Sequence, residues 1–270
     1  MTQTERRLFL IQALLRERGE RFELPREEYN QKRLLRSLFN IRMPDAASEE
    51  FLRIQDEYLQ EEISRKGITD IAELKPVQEN IYLWQGDITT LKCGAIVNAA
   101  NSQMLGCFSP CHGCIDNAIH TFSGVQLRCK CNEIMTRQGH DEPTGQAKIT
   151  PAYNLPCDYV IHTVGPIVNG RLNDEHCELL KSCYLSCLQL CTKNNIDSIA
   201  FSVSRQAFSA SRKEKRRGSP SIRSRSISKN TTSKWYSTSL RTTISISIGN
   251  CSHKTSILKR PADTIPFLFG

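Results

Sequence analysis

At Asn80 the hydrophobic pattern of this chain changes period, and the change decides what kind of fold is open to it. Before it, apolar residues recur at helical spacing. Leu8, Ile11, Leu14 and Leu15 mark one amphipathic helix, and a second pattern runs from Pro25, at a first-turn position, through Leu34, Leu35, Leu38 and Phe39. Met43-Pro44 breaks it. Ser48, with Glu49 and Glu50 in the first turn, then opens a third helix carrying Phe51, Leu52, Ile54, Tyr58, Leu59 and Ile63. From Asn80 the apolar runs are short and β-rich: Ile81 to Trp84, Ala95 to Val97, Tyr159 to Val164 and Ser198 to Phe201. Helical stretches near Asp116 to Met135 and Asp174 to Lys193 lie between them. Strands alternating with helices predict, over residues 76–201, an α/β fold of three layers, α/β/α, on a mostly parallel sheet. Residues 1–75 are then a small helical domain or a cap on that fold. Ligands of such sheets bind in loops beyond the carboxyl ends of strands.

The N-terminal stretch interrupts its apolar residues with Arg and Glu and is followed by no small-residue cleavage site, which argues against a secretory signal. No run approaches the ~20 apolar residues of a spanning helix, so the expected location is cytoplasmic and no membrane partner is expected. Twelve cysteines in such a chain argue for reduced thiols and metal chemistry. Cys183, Cys187 and Cys191, at four-residue spacing beside Leu180 and Leu188, are expected to be core thiols on one helix face. The net charge of +8 does not describe the folded part. Residues 202–270 hold 14 of the 36 basic and 2 of the 28 acidic residues, so residues 1–201 are mildly acidic. A nucleic-acid role for the whole chain therefore finds no support in its pI.

Chemistry concentrates between Gly86 and Pro166. Gln85-Gly86-Asp87-Ile88-Thr89 follows one strand, and a second strand ends in Asn98-Ala99-Ala100-Asn101-Ser102. A carboxylate and two amides at strand ends suit a hydroxyl-rich ligand, although either motif alone reads equally as turn residues satisfying their own backbone. Cys107, Cys111, His112 and Cys114 then fall within eight positions, a density of soft ligands suited to zinc, with His120 one or two turns beyond. Four ligands would make a closed structural site, whereas three would leave a position for water or substrate. His162 follows an apolar run and is expected to be a hydrogen-bonded core histidine.

Together QGDIT at 85–89, IVNAANS at 96–102, IDNAIHTFSG at 115–124, TGQAKITPAYNLP at 144–156 and YVIHTVGP at 159–166 resemble the macrodomain family, whose members bind ADP-ribose. Where most macrodomains carry a glycine run after the NAAN motif, this chain has GCFSPCHGC. With the helical N-terminal section containing EEFLRIQDEYL, that loop is similar to the zinc-dependent, sirtuin-linked microbial branch of protein-ADP-ribose hydrolases. The resemblance implies a glycosidic-bond hydrolase that removes ADP-ribose from mono-ADP-ribosylated proteins, a lipoyl-carrier protein among them. It implies zinc on Cys107, His112 and Cys114, with Cys111 a bystander or alternative ligand. It implies Asp87 and Ile88 at the adenine end and Asn101, Ile115 and Asp116 along the distal ribose and diphosphate, with Asn101 and Asp116 as the catalytic candidates. The alternative is an ADP-ribose-binding module whose Cys/His cluster is a structural zinc knuckle.

After Phe201 the family pattern stops. A second glycine-rich phosphate loop is expected, but the chain reads SVSRQAFSASRKEKRRGSPSIRSRSISKN, and 16 of its last 69 residues are Ser. If Ser204 to Lys213 are given suitable synonymous codons and read one frame over, the result is I-S-T-G-V-F-G-F-P-K, the missing loop; Arg216 to Ser221 give A-A-G-I-A-I. Residues 202–270 thus read as an out-of-frame, disordered tail created by loss of one base near codon 202. Such a loss removes a phosphate cradle and exposes strand 198–201 as an edge, so impaired activity is expected. The rival reading is an Arg/Ser-rich RNA-binding tail, weakened by the presence of only Trp235 and Tyr236 as aromatic partners between Ser209 and Pro266.

Overall fold

The computed structural model describes residues 1–21, 23–168 and 170–202, together with the backbone of 243–247. Three helices come first: α1 (Gln3–Glu17), α2 (Glu28–Ile41) and α3 (Glu49–Lys66). Thr2 and Glu5 form a reciprocal capping box on α1, and the Ser48 hydroxyl caps α3 by accepting from Phe51 N–H. Leu10, Ile11, Leu14, Leu35, Leu38, Phe39, Ile54 and Tyr58 close into a core of their own, which also takes in Val125 of the α/β part. The helical section therefore packs as a cap.

After a two-residue parallel pair, β1 (Thr69–Asp70) with β4 (Leu91–Lys92), the main sheet takes the order β2-β3-β9-β8-β5-β7-β6. Its strands are β2 (Pro76–Gln78), β3 (Ile81–Trp84), β5 (Ala95–Ala99), β6 (Ala147–Pro151), β7 (Tyr159–Thr163), β8 (Ser198–Ser202) and β9 (Thr243–Ser247). Only β5 with β7 and β5 with β8 run parallel; the other pairings are antiparallel. The sheet is mixed, parallel at its centre, and in this differs from the mostly parallel sheet expected. Alternation along the central strands splits two cores. Ile96, Val160 and Ala200 face Ile119, Leu127 and Cys131, whereas Ala95, Val97, Ile161, Ile199 and Phe201 face Cys187 and Cys191.

Those partners come from α4 (Ile115–Ser123) and α5 (Val125–Gln138) on one face and α6 (Asp174–Lys193) on the other. Three layers result, as expected, and Cys183, Cys187 and Cys191 are buried core thiols. The single helical stretch expected over 116–135 is two helices. Gly124 breaks it at φ +100°, where an added Cβ would stand 2.6 Å from Gln126 Oε1 and 2.7 Å from Gln55 Nε2. The tail expectation needs correction at one place: residues 243–247 are strand β9, hydrogen-bonded between β3 and β8, so strand 198–202 is not an edge. Thr243, Ile244 and Ile246 are β-branched, so TISIS suits a strand whatever its reading frame. The remainder of the frameshift and RNA-binding readings falls on 203–242 and 248–270, outside the described residues.

Candidate active site

The loop from Ala100 to Cys114 leaves the carboxyl end of β5 and enters α4. Ala100 N–H donates to Thr163 O at 3.0 Å, fixing the loop to β7, and Asn101 Nδ2 donates to Gly106 O at 3.0 Å. Gly106, at φ +81°, lies against the His120 ring; a Cβ there would sit 2.7 Å from it. Close approach of backbone and imidazole explains this glycine. Beyond it Cys107 Sγ stands 3.7 Å from His112 Nδ1, and the donor atoms of Cys107, His112 and Cys114 all lie within 4.8 Å of one another.

Soft ligands on one tetrahedral zinc, with Zn–S of about 2.3 Å and Zn–N of about 2.0 Å, stand about 3.5 Å apart. The Cys107–His112 separation fits such a centre, and three donors leave one position open. Cys111 is not part of the triad: its Sγ donates to Arg33 O at 3.3 Å. Cys114 doubles as the N-cap of α4, its sulfur accepting from Asn117 N–H at 3.4 Å, and burial pushes its thiol up to about 11. Along the chain Asn101 lies six residues ahead of Cys107, tied to Gly106 O, and Ile115 and Asp116 directly follow Cys114.

Beneath the loop lies a buried polar network. Asn98 Nδ2 donates to Asp116 Oδ1 at 2.8 Å and stands 3.1 Å from His162 Nδ1, whose other ring nitrogen is 3.0 Å from Thr150 Oγ1. Burial raises the Asp116 carboxyl to about 6, against the pull of Asn98 and Arg128, and lowers His162 to about 3. His162 is the hydrogen-bonded core histidine expected. Asn98, read from sequence as a strand-end amide open to a ligand, is instead fully buried with its Oδ1 unpartnered. His120 is also neutral by burial, with both ring nitrogens unpartnered and Nε2 3.6 Å from Asp116 Oδ1. His120, Cys131 and His162 bring three more soft donors together. The Asn98 amide nitrogen, however, consumes the lone pair of His162 Nδ1, which leaves N–H at Nε2 and no ligand lone pair there.

Asp87 caps the turn after β3, accepting from Thr89 N–H at 3.0 Å and Thr89 Oγ1 at 2.7 Å, and pairs with Lys66 Nζ at 3.0 Å. Burial alone would raise its carboxyl; Lys66 and Thr89 outweigh that and hold it low. Lys66 also lies 3.2 Å over the Phe122 ring. The Ile88 side chain is core, so Ile88 has no side chain to offer an adenine. Sequence reasoning missed Arg36, Asn40 and Asn117 around the loop and Arg128 below it. Arg36, Asn40 and Arg128 act over more than 20 residues, with no local pattern to signal them, whereas Asn117 lies within the IDNAIHTFSG stretch and bonds Ser109 O and Cys107 O only eight and ten residues back.

A strand-loop-helix site on a three-layer α/β sheet that is parallel at its centre defines the class, and the macro domain family matches residues 97–210. The chain belongs to the macro domain family. It is 61% identical over 207 residues to "Protein-ADP-ribose hydrolase" of Treponema medium, covering 74% of this chain and 79% of that protein. The protein of the same name from Staphylococcus aureus strain MRSA252 is 46% identical over 72% of this chain and 74% of its own length. A Trypanosoma brucei macrodomain crystallised with ADP-ribose is 30% identical over 62% of this chain and 71% of that one, with a TM-score of 0.45.

Proposed function

We propose that this chain is a zinc-dependent protein-ADP-ribose hydrolase, acting on mono-ADP-ribosylated proteins. The observation that carries the reading is the placement of Cys107, His112 and Cys114 between Asn101 and Asp116, in a chain 61% identical to a protein named for that activity. Water adds its oxygen to the anomeric carbon of the distal ribose, the bond from that carbon to the protein side chain breaks, and the proton of water passes to the departing group. Cys107, His112 and Cys114 would hold a zinc ion, which would supply Lewis acidity beside the reacting ribose. Asn101, tied to Gly106 O, holds the loop and offers its amide to the distal ribose. Asp116, oriented by Asn98, aligns a ribose hydroxyl or the attacking water. Asp87 takes the adenine end by exchanging Lys66 for the base, and Ile115 lines the diphosphate path.

Substrate and setting follow from the same reading. A lipoyl-carrier protein modified by a sirtuin-type transferase is the proposed substrate, and the cytoplasm the proposed site of action. Eleven unpaired cysteines among the described residues suit a reducing compartment. Among those residues no helix is long and apolar enough to cross a membrane.

Burial of Asp116 at 5% exposure favours a second reading, a binding module in which zinc only closes the loop. Release of ADP-ribose from a mono-ADP-ribosylated carrier protein, measured with and without chelator beside ADP-ribose affinity, separates the two. Turnover lost before affinity supports the hydrolase; binding without turnover in zinc-loaded, frame-corrected protein supports the module.

A further inference from the structure

One face of α2 grips the loop that carries the triad. Its other face, Leu35, Leu38 and Phe39, is committed to the helical core. At the loop side, Arg36 Nη2 donates to His112 O at 3.0 Å, and Arg36 Nε and Nη2 both donate to Asn117 Oδ1, at 3.2 and 2.8 Å. Asn117 in turn donates from Nδ2 to Ser109 O at 3.0 Å and Cys107 O at 3.5 Å, and from its backbone to Cys114 Sγ. Asn40, itself buried, accepts from Cys111 N–H at 2.8 Å and donates to Thr121 Oγ1 at 2.9 Å. Each of the three ligand-bearing residues is thus held by α2 directly or through Asn117.

The centre of the grip is a residue in an unfavourable conformation. Cys111 has φ +53°, a left-handed backbone that a side chain with a Cβ adopts only when its surroundings insist. Here Asn40 takes its N–H and the Arg33 carbonyl takes its S–H. The turn at Cys111 brings His112 back toward Cys107, so the strain is spent on bringing two ligands together.

We propose that Arg36 and Asn40 are positioning residues of the metal centre: α2 presets loop 107–114 so that the triad is assembled before the cation arrives, and Cys111 is the peg by which it does so. The inference rests on the reading of the triad as a zinc site. Orientation of ligands by outer hydrogen bonds sets metal affinity, and its loss typically costs 10–100-fold.

The test is zinc affinity of the full chain, by competition with a chromophoric chelator, in wild type, Arg36→Ala, Arg36→Lys and Asn40→Ala, beside the thermal midpoint of each metal-free protein. Zinc affinity should fall 10–100-fold in Arg36→Ala and Asn40→Ala, at one zinc per chain. Arg36→Lys, which keeps a donor for His112 O, should recover part of the loss. That graded recovery is what simple destabilisation would not produce. Should Asn40→Ala fail to fold, the Arg36 pair decides. Wild-type affinity in the variants overturns this inference alone. A wild type that takes up no zinc overturns the metal reading and this inference with it.

Discussion

Asn98 and Asp116 are joined by an amide–carboxylate hydrogen bond of 2.8 Å that couples the carboxyl end of β5 to the first turn of α4. Removing the amide leaves a buried carboxyl without its donor. Asn98→Ala should cost about 2 kcal/mol of stability and lower kcat more than it raises KM, because a misaligned Asp116 still lies beside bound substrate. Urea unfolding and steady-state hydrolysis check both. An unchanged kcat would remove Asp116 from the chemistry.

Zinc content should follow the triad. One zinc per chain is expected in wild type and in Cys111→Ala, and none in Cys107→Ala, His112→Ala or Cys114→Ala, read by elemental analysis of purified protein. Loss of the metal in Cys111→Ala with the loop fold intact would show that its sulfur is a ligand, whereas weaker binding at one zinc per chain would reflect the lost hydrogen bond to Arg33 O.

Acid stability should depend on the buried imidazoles. Burial holds His162 near 3, and burial with His162 alongside holds His120 low, so the unfolded chain binds protons that the folded chain refuses. Stability contributed by such groups is complete above the unfolded value of 6.5 and falls as pH drops toward the folded values, by about 1.4 kcal/mol per unit for each histidine. Asp116, raised to about 6, works in the opposite direction between 6 and 3.8 and offsets one histidine. Cys131 stays neutral throughout, its thiol raised to about 12 by burial. In His162→Gln the loss of stability between pH 7 and pH 5 should be smaller than in wild type by about 2 kcal/mol. Denaturant titrations at the two pH values provide the comparison, and equal losses would mean that His162 titrates normally.

The encoding DNA around codon 202 should show one base fewer than a frame giving I-S-T-G-V-F-G-F-P-K after Phe201. Hydrolysis by the frame-corrected chain should exceed that of this chain at equal folded concentration, since backbone amides of a glycine loop fix a diphosphate. Equal turnover would make the second loop dispensable.

What was legible in the sequence was local. Ser48 as a cap, the helix over Asp174–Lys193 and the strand beginning at Tyr159 follow from spacing within a few residues. The Cys107-His112-Cys114 set was legible only as soft ligands within eight positions, not as three donors held together. The break at Gly124 was hidden because helical periodicity continues through it. Asn98 was misjudged for a different reason. It shares a strand face with Ile96, and a central strand covered on both sides buries a polar residue whichever way it points. The pairing of β9 depends on residues some 40 positions away, and the grip of α2 on the loop spans more than 70.

Arg128 gives the boundary near residue 75 a different meaning. Its guanidinium, 4% exposed, donates to Leu105 O at 2.7 Å ahead of the metal loop, and to Phe39 O at 3.1 Å and Arg42 O at the end of α2. Cutting the chain where the hydrophobic period changes would strip two carbonyls from a cation that has little water to replace them, and would bare the α4 surface that α2 covers. For dissection and grafting, then, the smallest transferable unit begins at α1. Expression of residues 76–270 alone should give insoluble protein, and a chimera that exchanges the first three helices must carry the 105–114 loop along with them.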